Sequence, residues 1–192
     1  MKNISVLLFL LITLALNAQN NKTSGLNARQ FHKYWKVESE SPDYKVTFLG
    51  DTVEILSPKG LTLWRKEKMS GKVTIEYDAC VVVEVEGDRL SDLNCFWMAS
   101  DPQYPDNIWK REKWRSGIFL NCYSLQLYYM GYGGNHNSTT RFRCYDGNEA
   151  AITNAKARPA ILKEYTDADH LLEANKWYHI KITNENNRVS YY

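Results

Sequence analysis

The sequence has no excess of either charge: 24 lysines and arginines stand against 22 aspartates and glutamates, a formal net charge of +2 over 192 residues. Basic and acidic residues are interspersed, so the cationic footprint of a nucleic-acid-binding protein is missing. No internal repeat and no low-complexity segment interrupts the chain, which excludes a repeat array. Beyond Leu16 there is no long apolar run, so no later stretch qualifies as a membrane-spanning helix or anchor. Cysteine is scarce. The four present, Cys80, Cys95, Cys122 and Cys144, match no zinc-ligand spacing. Their even number permits two disulfides in an oxidising compartment, in any of three pairings, but each lies in an apolar run where a buried thiol is equally at home.

What is present begins with an address. Lys2 supplies a positive charge, Val6 to Leu16 is apolar but for Thr13, and Ala18 offers a small residue before Gln19. This is the pattern of a secretory signal peptide over residues 1–18, too short to anchor in a bilayer, with no cysteine after it to carry lipid. The expectation is an exported protein, periplasmic or extracellular, with a flexible lead-in over 19–30 and one domain over 31–192. Aromatic residues are abundant, with six tryptophans and thirteen tyrosines, many in polar surroundings. Rings beside polar groups suit the stacking of a sugar face, although large β-sandwiches also bury aromatics.

Alternating apolar and polar residues between turn signals predict strands at Tyr44–Leu49, Thr52–Ser57, Leu61–Trp64, Lys72–Glu86, Cys95–Ala99, Ile118–Cys122, Ser124–Met130, Thr140–Tyr145, Trp177–Thr183 and Arg188–Tyr192. In the longest, Val73, Ile75, Tyr77, Ala79 and Val81 form a continuous apolar face. Asp101 to Arg115 reads as a loop, and Asp167–Ala174 as a short helix. Many short strands and little helix predict an all-β sandwich or jelly roll. The last strand stops within a hairpin, so the sequence is expected to lack the final C-terminal strand or strands of its domain.

The richest segment is Ser124 to Asp146. Two alternating runs flank a loop that holds Gly131, Gly133 and Gly134. Gln126, Tyr128 and Met130 share one strand face, and Arg141, Arg143 and Tyr145 share one face of the return strand. Arginines, tyrosines and His136 around a polar loop suggest a surface for an anionic, ring-shaped ligand.

Trp177-Tyr178-His179-Ile180-Lys181-Ile182, an Asn-rich turn and Arg188-Val189-Ser190-Tyr191-Tyr192 resemble the penultimate hairpin of concanavalin A-like (laminin-G-like) jelly rolls. Gly87 to Met98, Gly131 to Asn135 and Thr140 to Arg143 are similar to secreted, mostly uncharacterised proteins of polysaccharide-degrading, Bacteroides-type bacteria. That resemblance implies an all-β concanavalin A-like jelly roll acting on uronic-acid-containing glycans.

Three chemistries compete for such a site. A polysaccharide lyase needs a group to neutralise the uronate, a base for the C5 proton and an acid for the leaving oxygen. Arg141 and Arg143, helped by Asn135 or Gln126, suit the first task because a guanidinium fork matches a carboxylate. Tyr128, Tyr132 and His136 are the candidate base and acid, the phenols being activated if nearby arginines lower their pKa. A laminarinase-type hydrolase needs three acids on one strand, and Glu76-Tyr77-Asp78 is followed by Ala79, Cys80 and Val81, so the third is missing. Pure glycan binding needs only a stacking platform, from Trp97, Trp109, Trp114, Tyr123 and Tyr128, with hydrogen bonds from Arg89, Asp92 and Asn94. The reading taken is action on an acidic polysaccharide or oligosaccharide, lyase ahead of binding module. No cofactor or catalytic metal is expected; Asp88, Asp92 and Asp101 give only a weak signal for structural calcium, turn capping being the plainer role.

Overall fold

A computed structural model of the chain describes residues 6–11, 28–185 and 188–192. Its strands in chain order are β1 (Val6–Leu11), β2 (Trp35–Ser39), β3 (Lys45–Leu49), β4 (Thr52–Ser57), β5 (Leu61–Arg65) and β6 (Val73–Val82). Then follow β7 (Leu93–Ser100), β8 (Gln126–Gly133), β9 (Thr139–Asp146), β10 (Ile161–Tyr165), β11 (Trp177–Glu185) and β12 (Arg188–Tyr191). One helix, α1 (Ala28–Tyr34), precedes β2. The fold is mostly β, and every strand pair is antiparallel.

Three sheets result: β12-β11-β6-β1-β4-β3, β10-β9-β8-β7, and the small β2-β5 pair. The alternation of β6 explains how the first two pack. Tyr77, Ala79 and Val81 point inward and meet Leu93, Trp97 and Met130 of the four-stranded sheet, with Leu172, Ile180 and Ile182 completing the core. A second cluster covers part of the opposite, outer face of the four-stranded sheet, where Leu125, Leu127, Tyr129 and Tyr145 pack under Trp64, Cys122 and Tyr123. A third gathers Phe31 of α1 with Val53 and Ile55 of β4. Burying such side chains contributes about 1.5–3 kcal/mol each.

Several expectations need correction. Ile118–Cys122 is not a strand: Phe119–Ser124 forms a 3₁₀ turn. No ladder partner among the described residues reaches it, and its bonds are local, with the N–H of Asn121 donating to Ile118 O at 3.0 Å and the hydroxyl of Ser124 to Asn121 O at 2.7 Å. The long strand ends at Val82 rather than Glu86, because side chains take over from the ladder. The Val83 N–H donates to Asn175 Oδ1 at 2.9 Å, and the Asp88 carboxylate accepts from Glu84 and Val85 at 2.8 and 3.0 Å. Strands β2 and β10 were not expected, and the helix over Asp167–Ala174 shrinks to one turn at Ala168–His170. Helix α1 begins inside the expected lead-in, held by Phe31, which is wholly buried; most of that lead-in lies outside the described residues. Strand β1, which falls within the stretch read as a signal peptide, pairs with β4 on one side and β6 on the other. All four cysteines are free thiols, with Cys80 and Cys122 buried. Burial pushes the thiols of Cys95 and Cys122 up to about 11 and about 12.

Candidate functional site

The uncovered end of the four-stranded sheet's outer face carries two rows of side chains. Register places Asn94 of β7, Gly131 of β8, Arg141 of β9 and Glu164 of β10 side by side, one from each strand. The neighbouring row is Phe96, Tyr129 and Arg143. Gly131 is required by a close approach. A Cβ there would lie 2.1 Å from the Tyr129 hydroxyl oxygen, so the missing side chain lets the tyrosine lean across the sheet. In that pose its hydroxyl donates to Asn94 Oδ1 at 3.1 Å.

Arg141 donates through Nε to the Glu164 carboxylate, and Arg143 donates to the carbonyl of Pro159. Both guanidinium groups are only partly buried, and both line a cleft with Asn94, Tyr129, Asn135 and His136. The same cleft reaches Arg89 and Asp92, an ion pair anchored where the Asp92 N–H donates to Gly133 O at 3.2 Å. Its rim is a turn at Gly134–Asn137 in which Asn135, His136 and Asn137 are all left-handed, with φ of 51, 58 and 58°. Such a conformation is costly for residues with a Cβ and persists only when neighbours hold it. Here Asn137 is clamped to Leu172, donating to its carbonyl and accepting from its N–H, both at 2.8 Å. Gly133 sits against the same clamp, since a Cβ on it would meet Leu172 at 2.4 Å.

The Tyr129 phenol is pushed well up, first by burial and then by Asp92 and Tyr123, while Arg143 and Arg141 pull weakly the other way. The arginines act in the direction expected of them, but desolvation of the phenolate outweighs them. The Tyr129 phenol therefore keeps its proton at neutral pH.

Among the residues singled out from sequence, Arg141, Arg143, Asn94, Asn135, His136, Arg89 and Asp92 come together around this cleft. Others do not. Tyr128 lies on the inner face, in a ring cluster with Trp97 and Phe142 at 5.8 and 5.9 Å. Trp97 is 4 % exposed and belongs to the core. Tyr132 also points inward, donating to Leu171 O at 3.4 Å, and burial beside Tyr178 raises its pKa. Gln126 stands at the far end of β8 opposite Asp146. Tyr123 is buried, stacked on Tyr145 at 4.7 Å. Trp114 is exposed outside this cleft, against the Arg111 guanidinium at 5.1 Å.

Two further features bear on the alternatives. Glu76 and Asp78 stand on the outer face of the other sheet, paired with Lys181 at 2.7 Å and His179 at 2.8 Å. Asp88, Asp92 and Asp101 are not brought together. Asp88 caps a turn, Asp92 pairs with Arg89, and fully buried Asp101 takes two 2.8 Å bonds from Arg111. No group of metal-ligating side chains occurs among the described residues.

Sequence reasoning missed Tyr129, Gly131 and Glu164. Tyr129 and Gly131 were in view as alternating residues of β8, but their face depends on register, and Glu164 lies on a strand that the pattern did not reveal.

Residues 55–192 match the family model of a domain of unknown function, DUF6250, and the chain belongs to that family. No curated protein and no solved structure matches.

Proposed function

We propose that the protein is exported and acts on a uronic-acid-containing polysaccharide, cleaving it by β-elimination on the outer face of a concanavalin A-like jelly roll. The observation that carries this reading is the adjacent pair of rows in which Arg141 and Arg143 stand beside Asn94 and a Tyr129 whose hydroxyl is leaned over Gly131. Arg141 and Arg143 meet the uronate and stabilise the charge that builds on it as the C5 proton leaves. His136 takes that proton, the C4–O bond breaks as the C4–C5 double bond forms, and the protonated Tyr129 delivers a proton to the leaving oxygen. Rim groups such as the exposed Asn135 and the half-buried Arg89 bind neighbouring sugar units.

A second reading, glycan binding without cleavage, is favoured by one fact: Glu164 and Pro159 already engage the two arginines. The discriminating experiment incubates the protein with pectic, rhamnogalacturonan and ulvan substrates while following the ultraviolet band of an unsaturated uronide. A rise that His136→Ala and Tyr129→Phe both suppress supports elimination. Retained mobility shifts in glycan-containing gels without any rise sink the lyase and leave the binding module. Export is tested separately: the secreted protein should begin at Gln19, and a mature chain retaining Val6–Leu11 overturns it.

A further inference from the structure

Along β9, Arg141, Arg143 and Tyr145 share the outer face, and four residues of strand set the first and last about 13 Å apart. At the Tyr145 end the ring of Tyr123 stacks on Tyr145 at 4.7 Å. The guanidinium of Arg158 lies over that Tyr123 ring, its Cζ 5.7 Å from the ring centre. The file of cations begun by Arg141 and Arg143 thus continues with a third, supplied by the segment before β10.

Local sequence fixes where Arg158 stands. It precedes Pro159, which disfavours the helical region, and its backbone is extended at φ −67° and ψ 145°. Its N–H donates to Ala155 O at 3.3 Å, and the next carbonyl, of Pro159, accepts from Arg143. The side chain differs from those of the other cleft arginines. Glu164 engages Arg141, the Pro159 carbonyl engages Arg143, and Asp92 engages Arg89. Arg158 is exposed and is in no ion pair among the described residues. Contact with a ring face holds a cation without a hydrogen-bond acceptor, so its N–H donors stay available. All four arginines line one cleft of about 1250 Å³. That is larger than a site for a single small ligand, whose upper range is about 1,000 Å³.

We infer that Arg158 binds a second anionic group on the same glycan chain, so that the cleft selects an oligomer carrying several acidic sugar units over a single one. Arg141 and Arg143 meet one uronate, and Arg158 pairs with the carboxylate of a unit farther along, in the direction of Tyr123. The inference rests on the reading of the arginine face as a site for acidic glycans, and it holds whether that face cleaves or only binds.

Calorimetric titration of the full chain with galacturonate and with tetragalacturonate tests it. The tetramer is expected to bind at least tenfold more tightly than the monomer. Arg158→Gln should weaken the tetramer roughly tenfold, the scale for a hydrogen bond between charged groups, and leave the monomer within about twofold. Arg158→Lys, which keeps the charge, should recover part of the loss, and both variants should melt with the unaltered chain because the side chain is exposed. Arg141→Ala separates the two levels of the argument. A tetramer weakened by Arg141→Ala but indifferent to Arg158→Gln overturns this inference alone, as does a monomer bound as tightly as the tetramer or weakened equally by Arg158→Gln. No binding of the tetramer by the unaltered chain overturns the acidic-glycan reading and this inference together.

Discussion

Two arginine–glutamate pairs in this molecule have the same chemistry and opposite circumstances. Arg115 and Glu38 are fully enclosed, at 0 and 5 % exposure, and meet through two hydrogen bonds of 2.6 and 3.2 Å, with a third from Arg115 to Ile108 O at 2.8 Å. Arg141 and Glu164 meet through one Nε contact at the border of an open cleft. Each nitrogen of the Arg115 guanidinium donates to the protein's own atoms, tying β2 to the segment that covers the outer face. The second leaves its guanidinium partly exposed beside the cleft. The lesson is that an ion pair is structural when its burial leaves no alternative partner, and available for recognition when a ligand's carboxylate can share or replace one partner.

The sharpest way to break this contrast is to truncate both arginines. Arg115→Ala should cost about 3–5 kcal/mol, because it strands the buried Glu38 carboxylate. Arg141→Ala should shift stability by less than about 1 kcal/mol, as for half-exposed pairs. Urea unfolding of the two variants side by side checks this, and equal losses would erase the distinction. For activity the order reverses: Arg141→Ala, still folded, should lower uronide formation by roughly 10²–10³-fold, the scale for losing one charge-stabilising donor group. Steady-state rates on the responsive glycan measure it.

Next in size is Gly131→Ala. The added methyl must expel the Tyr129 ring from its pose, at about 1–3 kcal/mol for an overpacked site. It should reproduce the glycan phenotype of Tyr129→Phe, which a crystal structure or a kinetic comparison would reveal. The mildest probe is alkaline pH. Burial raises the phenols of Tyr77, Tyr129, Tyr145 and Tyr191 above their ordinary value. Below an unfolded phenol's pKa of about 10 both states hold the proton and the tyrosines' contribution is fully present. Above it the unfolded chain releases protons that the folded chain keeps, so stability falls progressively as pH rises toward the folded values. Urea midpoints between about pH 8 and about pH 11 should therefore decline, with the phenolate absorbance of these buried tyrosines appearing only on unfolding.

How much of this was legible in the sequence depends on which physical rule governs each part. Thr52–Ser57 is a strand at the expected bounds, and β6 buries the predicted apolar face from Tyr77 to Val81, because period-two alternation is written directly in residue types. The 3₁₀ turn at Phe119–Ser124 was not legible, since an apolar run reads alike in a strand and in a cover that caps a sheet. The site was half legible for a precise reason. Gly134 bridges Thr139, and if that register continued, Tyr132 would face Arg141. Beyond the turn the ladder pairs Gly131 with Arg141 instead, a slip of one residue. Because side chains alternate, that slip exchanges the faces, turning Tyr128 and Tyr132 into the core and bringing Tyr129 beside the arginines. No local pattern announces it; it resides in three consecutive left-handed residues whose support comes from Leu172.

That support makes the site non-portable. A peptide spanning the β8–β9 hairpin contains every arginine and ring of the two central strands, yet it lacks the backbone at Leu172 that fastens Asn137. Grafted onto another sheet, the hairpin would be free to relax its turn and slide back by one residue. The arginines would then sit among different neighbours with no change in sequence. Any transplant of this recognition surface must carry the Ala168–Leu172 segment as well, and during synthesis the same surface becomes complete only after that segment has emerged.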